Sequence, residues 1–318
     1  MVKLAVRGSY GEAVATYEEL VGVSLAKTTV WERTQARGQA LKVKRQEMAE
    51  RAWALPKPQE LIPGQPLAAV KQGVGMDGVL VYILGEEWKE VKVGCVFEYE
   101  TQARYCRQTK EMVEEVKATA QSYVAYLGEP EPLGKLLSAE AERRGYDQAQ
   151  ARVSVGDGAK WIWNLNSLCF PTSQEIVDWY HAVEHLWLAA RLGYGEETKQ
   201  VEPWVKQRKD ELWLGHVDQV IDAIEALTQA NPTHQAELQT EVGYFRNNSH
   251  RMQYQKFREE GYPVGSGTVE SGCKQLATMR MKGPGMRWSR KGAENMIALR
   301  AEYLSDRWDE AWQLTLAL

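Results

Sequence analysis

The spacing of apolar positions changes along the chain and divides it into blocks. In the first, Ala13, Val14, Tyr17, Leu20 and Val21 recur at helical spacing. Ser9 and Glu12 at its start form the sequence signature of a capping box. Gly22-Val23-Ser24 predicts a tight turn with Ser24 as the next N-cap, and Leu25 to Arg37 a second helix. Helix, short glycine turn and helix is both the helix-turn-helix layout and that of an ordinary helical hairpin. Thr28, Thr29 and Arg33 fall on its outer face. The prolines Pro56, Pro58, Pro63 and Pro66 then mark a boundary.

From about residue 72 the period becomes two. Val74 to Leu84 predicts one strand and Trp88 to Tyr99 a second, with Gly85-Glu86-Glu87 turning the chain between them. Ala103 to Gln108 predicts a short third strand of an antiparallel meander. Helical pattern follows over Glu111–Ala125 and Leu133–Arg144. A strand then runs into Asp157, a helix covers Ala159 to Leu168, and Glu175 to Tyr180 predicts a last buried strand. The order β-β-β-α-β-α-β-α implies a mixed sheet with helices on its faces. From about 182 to 262 the spacings are helical only, as in Val217, Val220, Ile221 and Ile224.

Composition narrows this picture. At 318 residues, 44% hydrophobic and 26% charged, the chain is long enough for about two domains of ordinary globular type. No run of 18 apolar residues occurs, and the start lacks the charged-then-apolar layout of a signal peptide, so cytoplasm and no membrane partner are expected. Cys95, Cys106, Cys169 and Cys273 are scattered without a C-x-x-C pair, which predicts reduced, partly buried thiols rather than a zinc knuckle or a disulfide framework. A net charge of −4 advertises no nucleic acid globally. Locally, Lys274, Arg280, Lys282, Arg287, Arg290 and Lys291 surround Gly283-Pro284-Gly285 with few acids among them. Such a patch supplies contacts to DNA phosphates.

The candidate chemistry lies in acids at strand ends. Asp77-Gly78 and Asp157-Gly158 each follow a valine-rich strand, and Glu270 follows Gly265-Ser266-Gly267-Thr268-Val269. Clustered carboxylates repel by roughly 1 to 4 kcal/mol per pair near 4 Å. A hard divalent cation bound by their oxygens removes that penalty. Asp178 and His181 stand three apart, either as a functional pair on one helix face or as an N-cap with a packed histidine, and His185 lies one turn further on.

Three blocks together resemble bacterial insertion-sequence transposases of the ISKra type, within the DDE group related to Mutator-like elements. They are Gly156-Asp157-Gly158-Ala159-Lys160-Trp161-Ile162-Trp163 with Phe170-Pro171, then Asp178 to Leu186, then Gly265 to Ser271 with its basic sequel. The resemblance covers about residues 70 to 302. It implies an RNase H-like catalytic domain in which Asp77, Asp157 and Glu270 hold two Mg²⁺ or Mn²⁺ ions, with Asp178 and His181 as an accessory motif. It implies metal-dependent cleavage and transfer of double-stranded DNA at terminal inverted repeats and target sites, by a homo-oligomer that synapses DNA ends in the bacterial nucleoid. The implied layout is a helix-turn-helix-like segment over 1–54, a linker over 55–70 and a catalytic core over 71–181. An all-helical insertion over 182–263 and the Glu270 helix with its basic patch over 264–318 complete it. Relatives often have a longer N-terminal region. The alternatives are a truncated or degenerate transposase acting only as a DNA-binding protein, and an RNase H-like nuclease.

Overall fold

A computed structural model describes residues 1–54, 70–106, 110–196 and 198–316. The proline-rich segment lies almost wholly outside them. The helices α1 (Val2–Arg7), α2 (Tyr10–Val21) and α3 (Lys27–Ala54) come first. The strands β1 (Lys71–Ile83), β2 (Glu87–Cys106) and β3 (Glu111–Leu127) follow. Next are α4 (Pro130–Arg143), β4 (Ala151–Gly156), α5 (Lys160–Cys169), β5 (Gln174–Val177) and α6 (Trp179–Tyr194). A helical stretch holds α7 (Val201–Trp213), α8 (Val217–Ala230), α9 (Gln235–Asn248) and α10 (Tyr254–Glu259). The chain closes with α11 (Gly267–Cys273), a π-helical turn over Lys274–Thr278, α12 (Met279–Met281), α13 (Arg290–Leu304) and α14 (Trp308–Leu314).

The five strands form one mixed sheet in the order β3-β2-β1-β4-β5. The β1–β2 and β2–β3 pairs are antiparallel, and β1–β4 and β4–β5 are parallel. Helices flank this sheet, and its valines Val74, Val91, Val93, Val153 and Val155 are buried. Among the described residues no helix is long and apolar enough to cross a membrane.

The meander exists, but its third strand is not the expected one. Ala103 to Cys106 simply continues β2, and Glu111–Ala125, whose pattern predicts a helix, is most of β3. Its Glu, Lys, Met and Ala residues favour helix by at most about 0.7 kcal/mol each. Pairing with the whole edge of β2 outweighs that preference, and it buries Tyr123 and Leu127. A bulge opposite Val96/Glu98 absorbs the extra residues, with Ala120 at φ 45°.

The last strand is also shorter than predicted. β5 ends at Val177, because Asp178 caps α6 and the helix starts at Trp179.

The capping box forms as read: Glu12 N–H donates to Ser9 Oγ at 3.2 Å and Ser9 N–H to Glu12 Oε2 at 2.7 Å. Gly22 closes α2 in the left-handed region at φ 72°. Ser24, by contrast, is not the cap of α3. Its hydroxyl donates back to Glu18, and the helix begins at Lys27. The second helix runs to Ala54, far beyond Arg37, because its rear half packs on α13 and α4. Gly38 sits so close to α13 that a Cβ there would lie 2.5 Å from the Asn295 carbonyl oxygen.

Candidate metal centre and basic surface

Parallel pairing puts the first two acids side by side. Gly75 on β1 is opposite Val155 on β4, so Asp77 and Asp157 both stand two residues beyond that pair at one rim. Asp77, expected at a strand end, lies instead inside β1, paired with Val93 of β2, whereas Asp157 does follow the end of β4. Each carboxylate is tied to nearby backbone: Gly78 N–H donates to Asp77 Oδ1 at 2.6 Å and Ala159 N–H to Asp157 Oδ1 at 2.7 Å. One oxygen of each is thereby oriented, which directs the other.

Burial pushes the Asp77 carboxyl above its ordinary value. A hydrogen bond from the Cys273 thiol and the Gly78 N–H offset part of that, the Asp157 charge adds to it, and His181 opposes it. Cys273 is itself pushed far up, by burial first and then by the Asp77 charge, so it remains a protonated donor. Asp77 thus senses the charge of Asp157, the imidazole of His181 and the thiol of Cys273.

Glu270 arrives from a different element. The helix α11 packs on β1, where Gly75 leaves room for Val269: a Cβ on Gly75 would sit 3.1 Å from the Val269 Cβ. One turn of helix separates Glu270 from Cys273, and both Asp77 and Glu270 act on the Cys273 thiol. Ser266 Oγ donates to Glu270 Oε1 at 2.6 Å.

Asp178 fixes this arrangement. It is wholly buried at the N-cap of α6 and accepts from His181 N–H at 2.9 Å. Its other oxygen accepts from the backbone N–H of Ser266. Its own N–H donates to the Gly156 carbonyl at 2.7 Å, and Trp179 N–H donates to Val264 at 2.9 Å. One residue therefore joins the end of β4, the start of α6 and the approach to α11. Both readings of the Asp178–His181 pair bear on this geometry: the aspartate is an N-cap, and the imidazole is half-exposed beside the acids.

Ligand-capable atoms of Asp178, His181 and Glu270 lie within 4.8 Å of one another, a group that could hold a metal ion. This group differs from the three acids singled out in the sequence. Asp77 interacts with His181 of this group, and both Asp178 oxygens already accept backbone N–H groups. Its carboxylate thus serves as a clamp that brings Glu270 and His181 to the rim. Ser266 and Cys273 were not among the predicted site residues. Their neighbourhood was marked by the Gly-x-Gly run, but no spacing rule reveals a thiol bonded to a carboxylate almost two hundred residues away.

The basic segment divides in two. Lys274, Lys282, Arg287 and Lys291 are exposed. Arg280, predicted among them, is buried: it donates to the Ala5 carbonyl at 3.0 Å and lies over the Tyr10 and Trp288 rings, 5.1 Å from each centroid. Arg290 forms a bidentate pair with Glu86, Nε–Oε1 2.9 Å and Nη2–Oε2 2.5 Å. Of the six predicted phosphate contacts, Arg280 is thus buried and Arg290 is paired with Glu86 at the surface. Thr28 and Arg33 are exposed and Thr29 is half-buried on the first turns of α3.

No protein-family model and no curated protein matches this chain.

Proposed function

We propose that the protein is a DDE-type transposase that cleaves DNA strands and transfers them at insertion-sequence ends. The observation that carries this reading is the acid cluster itself: Asp77 inside β1 level with Asp157 just past the end of the adjacent parallel β4, and Glu270 within 4.8 Å of Asp178 and His181. A three-stranded meander followed by two parallel strands, in the order β3-β2-β1-β4-β5, supports an RNase H-like core. The helices α7 to α10, lying between the second acid and Glu270, suit an insertion domain.

The donor set fits the metal. Several carboxylate oxygens with one imidazole suit Mg²⁺ or Mn²⁺, which prefer hard ligands. Asp77, Asp157 and Glu270 would hold two such ions. The ions, when bound, lower the pKa of a bound water or 3′-hydroxyl and stabilise the leaving oxygen of an in-line displacement. The chain's own residues orient the acids: Gly78 and Ala159 N–H groups aim the two aspartates, and Ser266 aims Glu270. Lys274, Lys282, Arg287 and Lys291 would hold phosphates, and Thr28, Thr29 and Arg33 would meet base edges. Double-stranded DNA is the partner, with a homo-oligomer bridging two ends.

The test is an assay with labelled duplex carrying the element's terminal repeats, in Mg²⁺. Nicking and joined product are expected from the wild type, and neither from Asp157→Asn, whose DNA affinity should be unchanged. Nicking without joining would replace this reading by a nuclease, and binding without nicking by a DNA-binding protein.

A further inference from the structure

Asp157 is held from outside the sheet as well as from its own turn. Tyr244, on α9, donates its hydroxyl to the main-chain carbonyl of Asp157 at 2.9 Å. Its ring rests on Gly158, where φ is +101° and a Cβ would meet Tyr244 Cε2 at 2.6 Å. Only glycine allows both the backbone conformation and the close approach. On α6, the imidazole of His185 stacks on the tyrosine ring, 3.6 Å between centroids at 18°. His185 Nδ1 lies 2.6 Å from Glu241 Oε2, and Glu241 is buried. Phe245 meets the same tyrosine edge-on at 5.3 Å. Burial first, then the neighbouring acids, push the Tyr244 phenol far up, so its hydroxyl stays a donor.

A buried glutamate is costly unless hydrogen-bonded or paired. Here it fixes the imidazole that backs the tyrosine, and the tyrosine in turn touches the Asp157-Gly158 turn. We infer that Tyr244, braced by His185 and Glu241, is a positioning residue through which the helical block α6–α9 fixes the Asp157 turn and aims its carboxylate. The tether follows from the contacts alone, and its bearing on a metal ligand rests on the function proposed above. Groups behind a ligand typically change metal affinity by about 10- to 100-fold when removed.

Tyr244→Phe keeps the ring and its stack and removes only the hydroxyl. Amide hydrogen exchange of the metal-free protein, read on a peptide spanning 153–160, should quicken in this variant. Mn²⁺ affinity, read by calorimetry, should fall about tenfold. Asn248→Ala removes the side-chain bond to the Tyr244 carbonyl without touching the hydroxyl, and it should leave both readouts near wild type. Unchanged exchange in Tyr244→Phe overturns the tether. Faster exchange with unaltered Mn²⁺ affinity overturns the aiming of a ligand. Equal losses in Asn248→Ala overturn both, because the cause is then a loosened α9. Faster exchange in Tyr244→Phe, with no Mn²⁺ binding by the wild type, upholds the tether and removes the metal reading instead.

Discussion

Asp178 shows how one buried carboxylate can join separate elements at the candidate site. Its two oxygens receive the N–H groups of His181 and Ser266, which belong to different elements. Asparagine has almost the same shape but offers one acceptor oxygen, so one of the two N–H groups would face an amide donor. Leaving a buried donor unpaired costs about 1 to 3 kcal/mol. Asp178→Asn should therefore lose about that much stability in urea unfolding. It should also weaken cleavage, since Glu270 then loses its seat. A fully stable variant would show that the clamp contributes little. Cys273 differs in kind: its protonated thiol supports the Asp77 carboxylate, but burial bars it from acting as a nucleophile.

At the scale of elements, ion pairs join α3 and α4 to α13 and the residues that follow it. Arg307, after α13, reaches Glu140 on α4 at 2.5 Å and Glu302 on α13 at 2.9 Å. Arg45 on α3 meets the same Glu302 at 2.7 Å. Without Arg307, Glu140 keeps Arg143 and Glu302 keeps Arg45, but each loses a buried bond, so Arg307→Met should cost about 1 to 3 kcal/mol in urea unfolding. Burial alone would raise Glu140, but its bonds to Arg143 and Arg307 reverse that and hold it below its ordinary 4.5. A depressed carboxylate contributes stability above its unfolded value and loses it as pH falls. The gap between wild type and Arg307→Met should thus be widest near neutrality and narrow below pH 4.5. The strand end at Asp157 was legible in the sequence because valines with period two ran into an Asp-Gly turn; Asp77-Gly78 looks the same locally but lies inside β1, which runs on to Ile83 paired with β2. The capping box at Ser9 was legible because it is local. β3 was not, because residues of good helix propensity were recruited by an edge of β2 that no local pattern announces. Nor was the burial of Arg280, because a run of basic residues does not say which of them meets the carbonyl of α1.

For the whole molecule, a net charge of −4 with a local cluster of exposed cations means that the proposed DNA partner would have to be held by one face. Arg287 and Lys282 are the free members of that face to test, because Arg290 is engaged by Glu86. Neutralising both should weaken binding to all duplexes alike and reduce the log–log salt slope by roughly one unit per lost phosphate contact. Changing Thr28, Thr29 and Arg33 should instead narrow the gap between terminal-repeat and random DNA, measured by binding curves at several salt concentrations. The account as a whole stands on the acids at the rim. Calorimetric titration of the DNA-free protein with Mn²⁺ tests it most directly. The expected result is saturable binding of two ions by the wild type and loss of that binding in Asp77→Asn and Asp157→Asn, both still folded. Wild-type binding that persists unchanged in both variants, or no binding by the wild type, would contradict it.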